Sequence, residues 1–214
     1  MTRIALIHAL AHSMAPVNEV MAAHWPAAAR MNLLDDSLSA DLARAGRLDD
    51  AMHDRFRRLA AYAIDCRCDA ILFTCSAFGP CIESVARAHP GVPVLKPNEA
   101  MVAEAAATGG RIGLLASFAP TLASMPAEFP AGTDLVTGLA EGALRALDAG
   151  DTSQHDALVA LAARRLVDQG CTSIALAQFS LTRSRQVAQQ ACGVPVLTTV
   201  HSAVAELRRR LGAR

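Results

Sequence analysis

Aromatic side chains are scarce: one Trp, one Tyr and six Phe make up 4% of 214 residues. A core must come mainly from aliphatic and small side chains, which suits the 52% hydrophobic content. Net charge is also missing, with 20 basic and 20 acidic residues and no basic block. A nucleic-acid backbone would find nothing to neutralise it, so nucleic acid is not an expected partner. No apolar run approaches the roughly 18 residues of a membrane span. The chain enters Ile4-Ala-Leu-Ile7 without the charged region, apolar core and cleavage site of a signal peptide. Neither a membrane nor export is expected, and the cytoplasm is the expected location. Metal-ligand spacing is absent too. Cys66-Arg-Cys68 is the only close pair among six cysteines, and no second pair or His cluster completes it. The thiols are expected to be reduced, and no metal is expected.

What is present is a duplication. Cys68-Asp-Ala-Ile-Leu-Phe-Thr-Cys75 aligns with Cys171-Thr-Ser-Ile-Ala-Leu-Ala-Gln178, and Gly91-Val-Pro-Val-Leu95 with Gly193-Val-Pro-Val-Leu197. Both copies run into helical segments, Ala100-Met-Val-Ala-Glu104 and Ser202-Ala-Val-Ala-Glu206. A weaker echo joins Arg3-Ile-Ala-Leu-Ile7 to Arg111-Ile-Gly-Leu-Leu115. Two copies at this period read as two related α/β halves, not a solenoid.

Short apolar runs alternating with helical patterns predict parallel sheets flanked by helices. Strands are expected at Ile4–Ile7, Met31–Leu34, Ala70–Phe73, Val92–Leu95, Arg111–Ala116, Thr133–Thr137, Ser173–Ala177 and Val194–Leu197. Helices are expected over Pro16–Arg30, Asp49–Asp65 and Ser153–Gln169, with others after Ser37, Gly79 and Thr121. The final helix, from His201, is expected to pack back on the first half. That gives an N-terminal lobe of residues 1–97 plus 199–214 and a C-terminal lobe of residues 98–198.

In such sheets ligands gather at the carboxyl ends of the strands. The topology thus collects His8, Ser13, Cys75, Ser76, Lys96, Asn98, Thr121, Gln178, Ser180 and His201 as candidate site residues. Cys75 leads them. It follows a strand buried on both faces and precedes Gly79-Pro80, a helix opening that tolerates proline. Unpaired N–H groups there would favour thiolate over thiol and could hold a carboxylate. The plainer reading is a packing cysteine in a tight turn. If the halves face each other, Cys75 and Gln178 point at one cleft.

These residues carry a resemblance. Ile71-Leu-Phe-Thr-Cys75-Ser-Ala-Phe-Gly79, with Val94-Leu-Lys-Pro-Asn-Glu-Ala-Met101 and Ile112-Gly-Leu-Leu-Ala-Ser-Phe-Ala-Pro-Thr121, resembles the aspartate/glutamate/hydantoin racemase superfamily. Arylmalonate decarboxylase and maleate isomerase belong to the same group. The resemblance spans the chain and implies two pseudo-twofold-related Rossmann-like lobes. It also implies cofactor-independent chemistry beside the carboxylate or carbonyl of a small acid, such as an amino acid or hydantoin. Racemases of the group set one cysteine in each half, on opposite faces of the stereocentre. Here the second position holds Gln178, and an amide cannot serve as a catalytic acid or base near neutral pH.

Cys75 is therefore expected to be the sole thiol acid/base, with His8, Lys96, Glu99 or His201 as candidates for the second face. Ser13, Ser76, Ala77, Asn98, Thr121, Gln178, Phe179 and Ser180 are expected to bind the substrate, a small carboxylate. A decarboxylase-like lyase also fits one thiol, because loss of carbon dioxide makes the carbanion without a base. So does a maleate-type cis–trans isomerase, in which the thiol adds to a double bond. A non-catalytic protein that binds a small acid is the reading from outside enzymology. The oligomeric state is not legible, and a homodimer is allowed.

Overall fold

The computed structural model describes residues 1–212. Two compact units divide them: residues 1–98 with the described residues from Ala203 onwards, and Glu99–Ser202.

In the first unit, β1 (Arg3–His8), β2 (Ala29–Leu34), β3 (Ala70–Phe73) and β4 (Val94–Leu95) form a parallel sheet in the order β2-β1-β3-β4. The inner strands explain the unbroken apolar runs. Every residue of β3, and of β1 after Arg3, is buried, as expected where helices cover both faces. The edge strand β2 instead alternates between half-buried and exposed positions. Ile7 pairs with Phe73 and His8 with Leu34, so these strands finish side by side. The Thr74 N–H then donates to the Ile7 carbonyl at 3.0 Å, just past the last β3 residue.

The helix Asp50–Asp65 starts where the Asp49 carboxylate accepts the Met52 N–H at 2.9 Å, the side-chain oxygen taking an otherwise unpaired donor. It buries Met52, Phe56, Ala60 and Ala63, a stripe at helical spacing. Phe56 stacks on Phe73 at 5.2 Å and meets Phe78 at 4.9 Å between centroids.

The boundary between the first expected helix and the second strand falls earlier than the sequence suggests. The segment expected to be helical to Arg30 spans Met14–His24, and β2 takes over from Ala29. Pro26 accounts for the stop. A proline disfavours helical backbone in the residue before it, and Trp25 leaves the helix at φ −148°, ψ 58°.

The second unit repeats the winding. Its strands β5 (Ile112–Ala116), β6 (Leu135–Leu139), β7 (Ser173–Leu176) and β8 (Val196–Thr198) run parallel in the order β6-β5-β7-β8. β6 lies two residues later than the expected Thr133–Thr137. The helix Thr152–Asp168 comes so close to this sheet that a Cβ on Gly113 would sit 2.7 Å from Ile174 Cδ1 and 3.0 Å from Leu166 Cδ1. That crowding explains why glycine stands where the first copy has Ala5.

The last helix, Thr199–Arg210, starts in the second unit and belongs to the first from Ala203. There Arg208 donates to the His24 carbonyl at 2.9 Å. Among the described residues, no helix is long and apolar enough to cross a membrane. None of their His, Cys, Asp and Glu side chains form a group of three or more that could hold a metal.

Candidate active site

Cys75 is the second residue beyond β3, extended at φ −130°, ψ 120° and half-buried. A short 3-10 turn, Ser76–Phe78, separates it from the helix Gly79–Ala88. The backbone N–H that reaches it is that of Ala77. This changes the expected acidity. Burial pushes the Cys75 thiol above its ordinary value, and the Ala77 N–H offsets only part of the rise. A buried thiolate lacks the water that would stabilise it, so the shift runs opposite to the one expected from a helix start. Ser76 and Ala77 are exposed beside it, while Phe78 is sealed in the core.

Behind Cys75 lies a buried polar network. His8 Nδ1 stands 3.0 Å from Thr74 Oγ1 and 3.1 Å from Ser13 Oγ, and His8 Nε2 stands 3.0 Å from Asn32 Oδ1. The Met14 carbonyl fixes the proton positions. It can only accept, so the atom facing it at 2.8 Å is the Asn18 nitrogen. That nitrogen also donates to Asn32 Oδ1 at 2.8 Å, which makes the Asn32 atom beside His8 an oxygen. His8 Nε2 must then carry hydrogen, leaving Nδ1 as an acceptor in the neutral ring. The Ser13 hydroxyl donates to the Leu10 carbonyl at 2.7 Å, and Thr74 Oγ1, 2.9 Å from Ser13 Oγ, has His8 Nδ1 at 3.0 Å and the Ile7 carbonyl at 3.4 Å as acceptors.

His8 is fully buried, and this burial lowers its pKa from 6.5 against the opposing hydrogen bond to Asn32. The folded protein therefore resists a proton that the unfolded chain takes up. Stability attributable to His8 is fully present above about pH 6.5 and declines as pH falls below it. In His8→Gln this loss should disappear. Urea unfolding from pH 7.5 down to 5.5 should bring variant and wild type together by up to about 1.4 kcal/mol per pH unit. Parallel curves would contradict the assignment.

The other candidates scatter. Lys96 donates to Glu83 at 2.8 Å, and Asn98 is buried at the end of the first unit. Glu99 lies in the first turn of the helix Glu99–Thr108. In the second unit, His201 Nδ1 is 2.7 Å from Thr198 Oγ1, which also accepts the His201 N–H at 3.1 Å. Thr121 is half-buried in the helix Ala119–Ser124. Gln178 is the second residue beyond β7, extended like Cys75, and a 3-10 turn, Phe179–Ser184, follows it. Phe179 is buried, and Ser180 and Gln178 are half-buried. Gln178 Oε1 accepts from both the Ser117 N–H at 2.7 Å and the Ser117 hydroxyl at 3.1 Å.

Thus the structure joins His8 and Ser13 to each other and to Thr74, beside Cys75. It adds Asn32, Asn18 and Ser117, none of which the sequence reading singled out for a site. Asn32 had a signal: it is a polar residue within the apolar run Met31–Leu34.

The family model for Asp/Glu/Hydantoin racemase matches residues 11–207. Among solved structures, the chain is similar to glutamate racemase isoform RacE1 from Bacillus anthracis. The identity is 11% with a TM-score of 0.69, over 99% of this chain and 82% of that one. Aspartate racemase from Picrophilus torridus gives 11% and 0.72, over 100% and 96%. Allantoin racemase from Pseudomonas fluorescens gives 15% and 0.61, over 99% and 92%. A comparison with curated proteins finds no match.

Proposed function

This chain belongs to the Asp/Glu/hydantoin racemase family, and from that premise we propose that it is a cofactor-independent isomerase of a small acid, with Cys75 as its one thiol acid/base. The observation that carries this reading is Cys75 itself, half-buried beyond β3 with the Ala77 N–H at its sulfur. In the step proposed, the Cys75 thiolate takes the proton from the carbon next to a carboxylate or carbonyl. The C–H electron pair moves into that group as an enolate or enediolate; a proton returned by Cys75 restores the starting isomer, and a proton delivered by water to the opposite face gives the other. The developing oxyanion needs nearby donors. The Ser76 hydroxyl, exposed beside Cys75, is the group we assign to it. His8 we assign to holding Thr74, since both its ring nitrogens are bonded within the protein.

Family membership supports an isomerase, and the burial of Cys75, which disfavours its charged form, gives a second reading. A protonated Cys75 suits a lyase: carbon dioxide leaves, its bonding electrons stay on carbon, and the thiol donates its proton there. The two differ in pH dependence. Proton abstraction needs thiolate, so its rate should climb about tenfold per pH unit from neutral towards alkaline pH. Decarboxylation, which needs the thiol, should stay level over the same range and fall only at the higher pH where the thiol ionises.

The test is incubation of amino acids, hydantoins, arylmalonates and maleate in deuterated water, followed by NMR. Deuterium at the carbon next to the carboxylate, lost in Cys75→Ala, supports isomerase chemistry, and carbon dioxide loss supports the lyase. Turnover that survives Cys75→Ala would refute both.

A further inference from the structure

The second unit answers a question that the first leaves open: what Gln178 does where the superfamily's racemases would set a second thiol. We propose that Gln178 is a substrate-binding residue. Its side-chain amide is a fixed hydrogen-bond donor that selects an oxygen acceptor, a carboxylate or carbonyl of the substrate. The inference rests on the proposed small-acid chemistry and names the group recognised.

The orientation follows from one contact. An amide side chain can usually be turned over, exchanging oxygen for nitrogen. Here the Ser117 backbone N–H lies 2.7 Å from the atom it faces, and a backbone N–H can only donate. That atom is therefore oxygen. The Ser117 hydroxyl donates to the same oxygen at 3.1 Å, so both lone pairs of Gln178 Oε1 are occupied. The rest of the amide is the NH2 group. Among the described residues it makes no hydrogen bond within the protein, and it is not sealed from solvent.

The local fold sets this geometry. β5 and β7 are paired neighbours, with Leu115 opposite Leu176. Ser117 and Gln178 each lie two residues further along. The Ala177 N–H still donates to the Leu115 carbonyl at 2.9 Å, so the two chains stay in step up to the contact. Ser117 is buried and acts as the positioning residue. Its backbone N–H persists in any replacement except proline, so the lock does not depend on the serine hydroxyl alone.

Two N–H donors on a neutral group hold an anionic oxygen without exchanging a proton with it. The chemistry assigned to Gln178 is thus recognition, and proton traffic remains with Cys75. A carboxylate at this position would keep the Ser117 donors on one oxygen and turn the other, negatively charged, towards the ligand.

The experiment uses the full-length protein labelled with nitrogen-15. The Gln178 side-chain NH2 signals are assigned by their loss in Gln178→Met. L-glutamate, D-glutamate, L-aspartate, hydantoin, phenylmalonate and maleate are the probes. At least one probe should move these signals, both in wild type and in Cys75→Ala. Gln178→Met should weaken its binding about tenfold or more, the range expected for a lost hydrogen bond to a charged group. Gln178→Glu should weaken it at least as much at pH 7.5 and recover towards pH 5, as the carboxyl gains a proton to donate. Packing alone would give no such recovery. Ser117→Ala should weaken binding less than about threefold, because the backbone donor survives.

Signals that stay still with every probe overturn the proposal. So does a probe that binds Gln178→Met as it binds wild type. Deuterium exchange that persists in Cys75→Ala would remove the proposed acid/base while leaving a shifted Gln178 signal standing, so the two failures are separable.

Discussion

Cys75→Ala is expected to lower deuterium exchange at the substrate carbon about a thousandfold or more, the range typical for loss of a positioned acid/base. That corresponds to about 4 kcal/mol of barrier. The magnitude follows from the groups next to Cys75 in its own unit. Thr74 Oγ1 is hydrogen-bonded with His8 Nδ1 and Ser13 Oγ, and His8 has both nitrogens bonded. Ala77 offers only a backbone N–H, which can stabilise charge but cannot accept a proton. Folding should change far less. Cys75 is half-buried and packs against the first unit's core, so trimming it to Ala should cost about 1 kcal/mol. Cys75→Ser keeps the size of the side chain and separates packing from chemistry. A hydroxyl ionises far less readily than a thiol, so the serine variant should be almost as slow as the alanine one while melting close to wild type. A Cys75→Ala enzyme retaining more than about a tenth of the exchange rate would remove the thiol from the reaction.

The architecture was legible because the two halves repeat the same pattern. Ala70–Phe73 and Ser173–Leu176 are buried throughout, and only strands covered on both faces give such runs. The duplication also led to Cys75 and Gln178 as equivalent positions, and each lies two residues past its strand. Less was legible where tertiary contacts decide. The sequence gives no sign that a 3-10 turn comes between Cys75 and its helix, since Ser76-Ala77-Phe78 could equally begin the helix. The direction of the thiol's shift depends on that turn and on burial, both three-dimensional quantities. Ser117 was visible as a loop residue, but its contact with Gln178 joins positions from different strands. Only the pairing of β5 with β7 brings them together.

Phe78→Ala carries the largest expected effect on stability. Phe78 ends the turn that carries Cys75, and its ring is fully buried against Phe56, with centroids 4.9 Å apart and planes at 33°. Phe56 in turn stacks on Phe73, the last residue of β3. One aromatic cluster thus ties the strand before Cys75 to the turn after it. Removing a buried phenyl ring costs about 3–5 kcal/mol in lost transfer energy and cavity formation. Domains commonly have only about 5–15 kcal/mol in total, so urea unfolding should expose the loss directly. Phe78→Leu fills most of the space and should cost less than about 1.5 kcal/mol. A second consequence separates this turn from an ordinary core site. If the ring holds Ala77 against the Cys75 sulfur, the alanine variant loses the one N–H that counteracts burial of the thiol. Its alkaline rise in exchange rate should then move to higher pH, while Phe78→Leu keeps the wild-type profile. A Phe78→Ala protein destabilised by less than about 1 kcal/mol, or one with an unchanged pH profile, would break the link between the aromatic cluster and the acidity of Cys75.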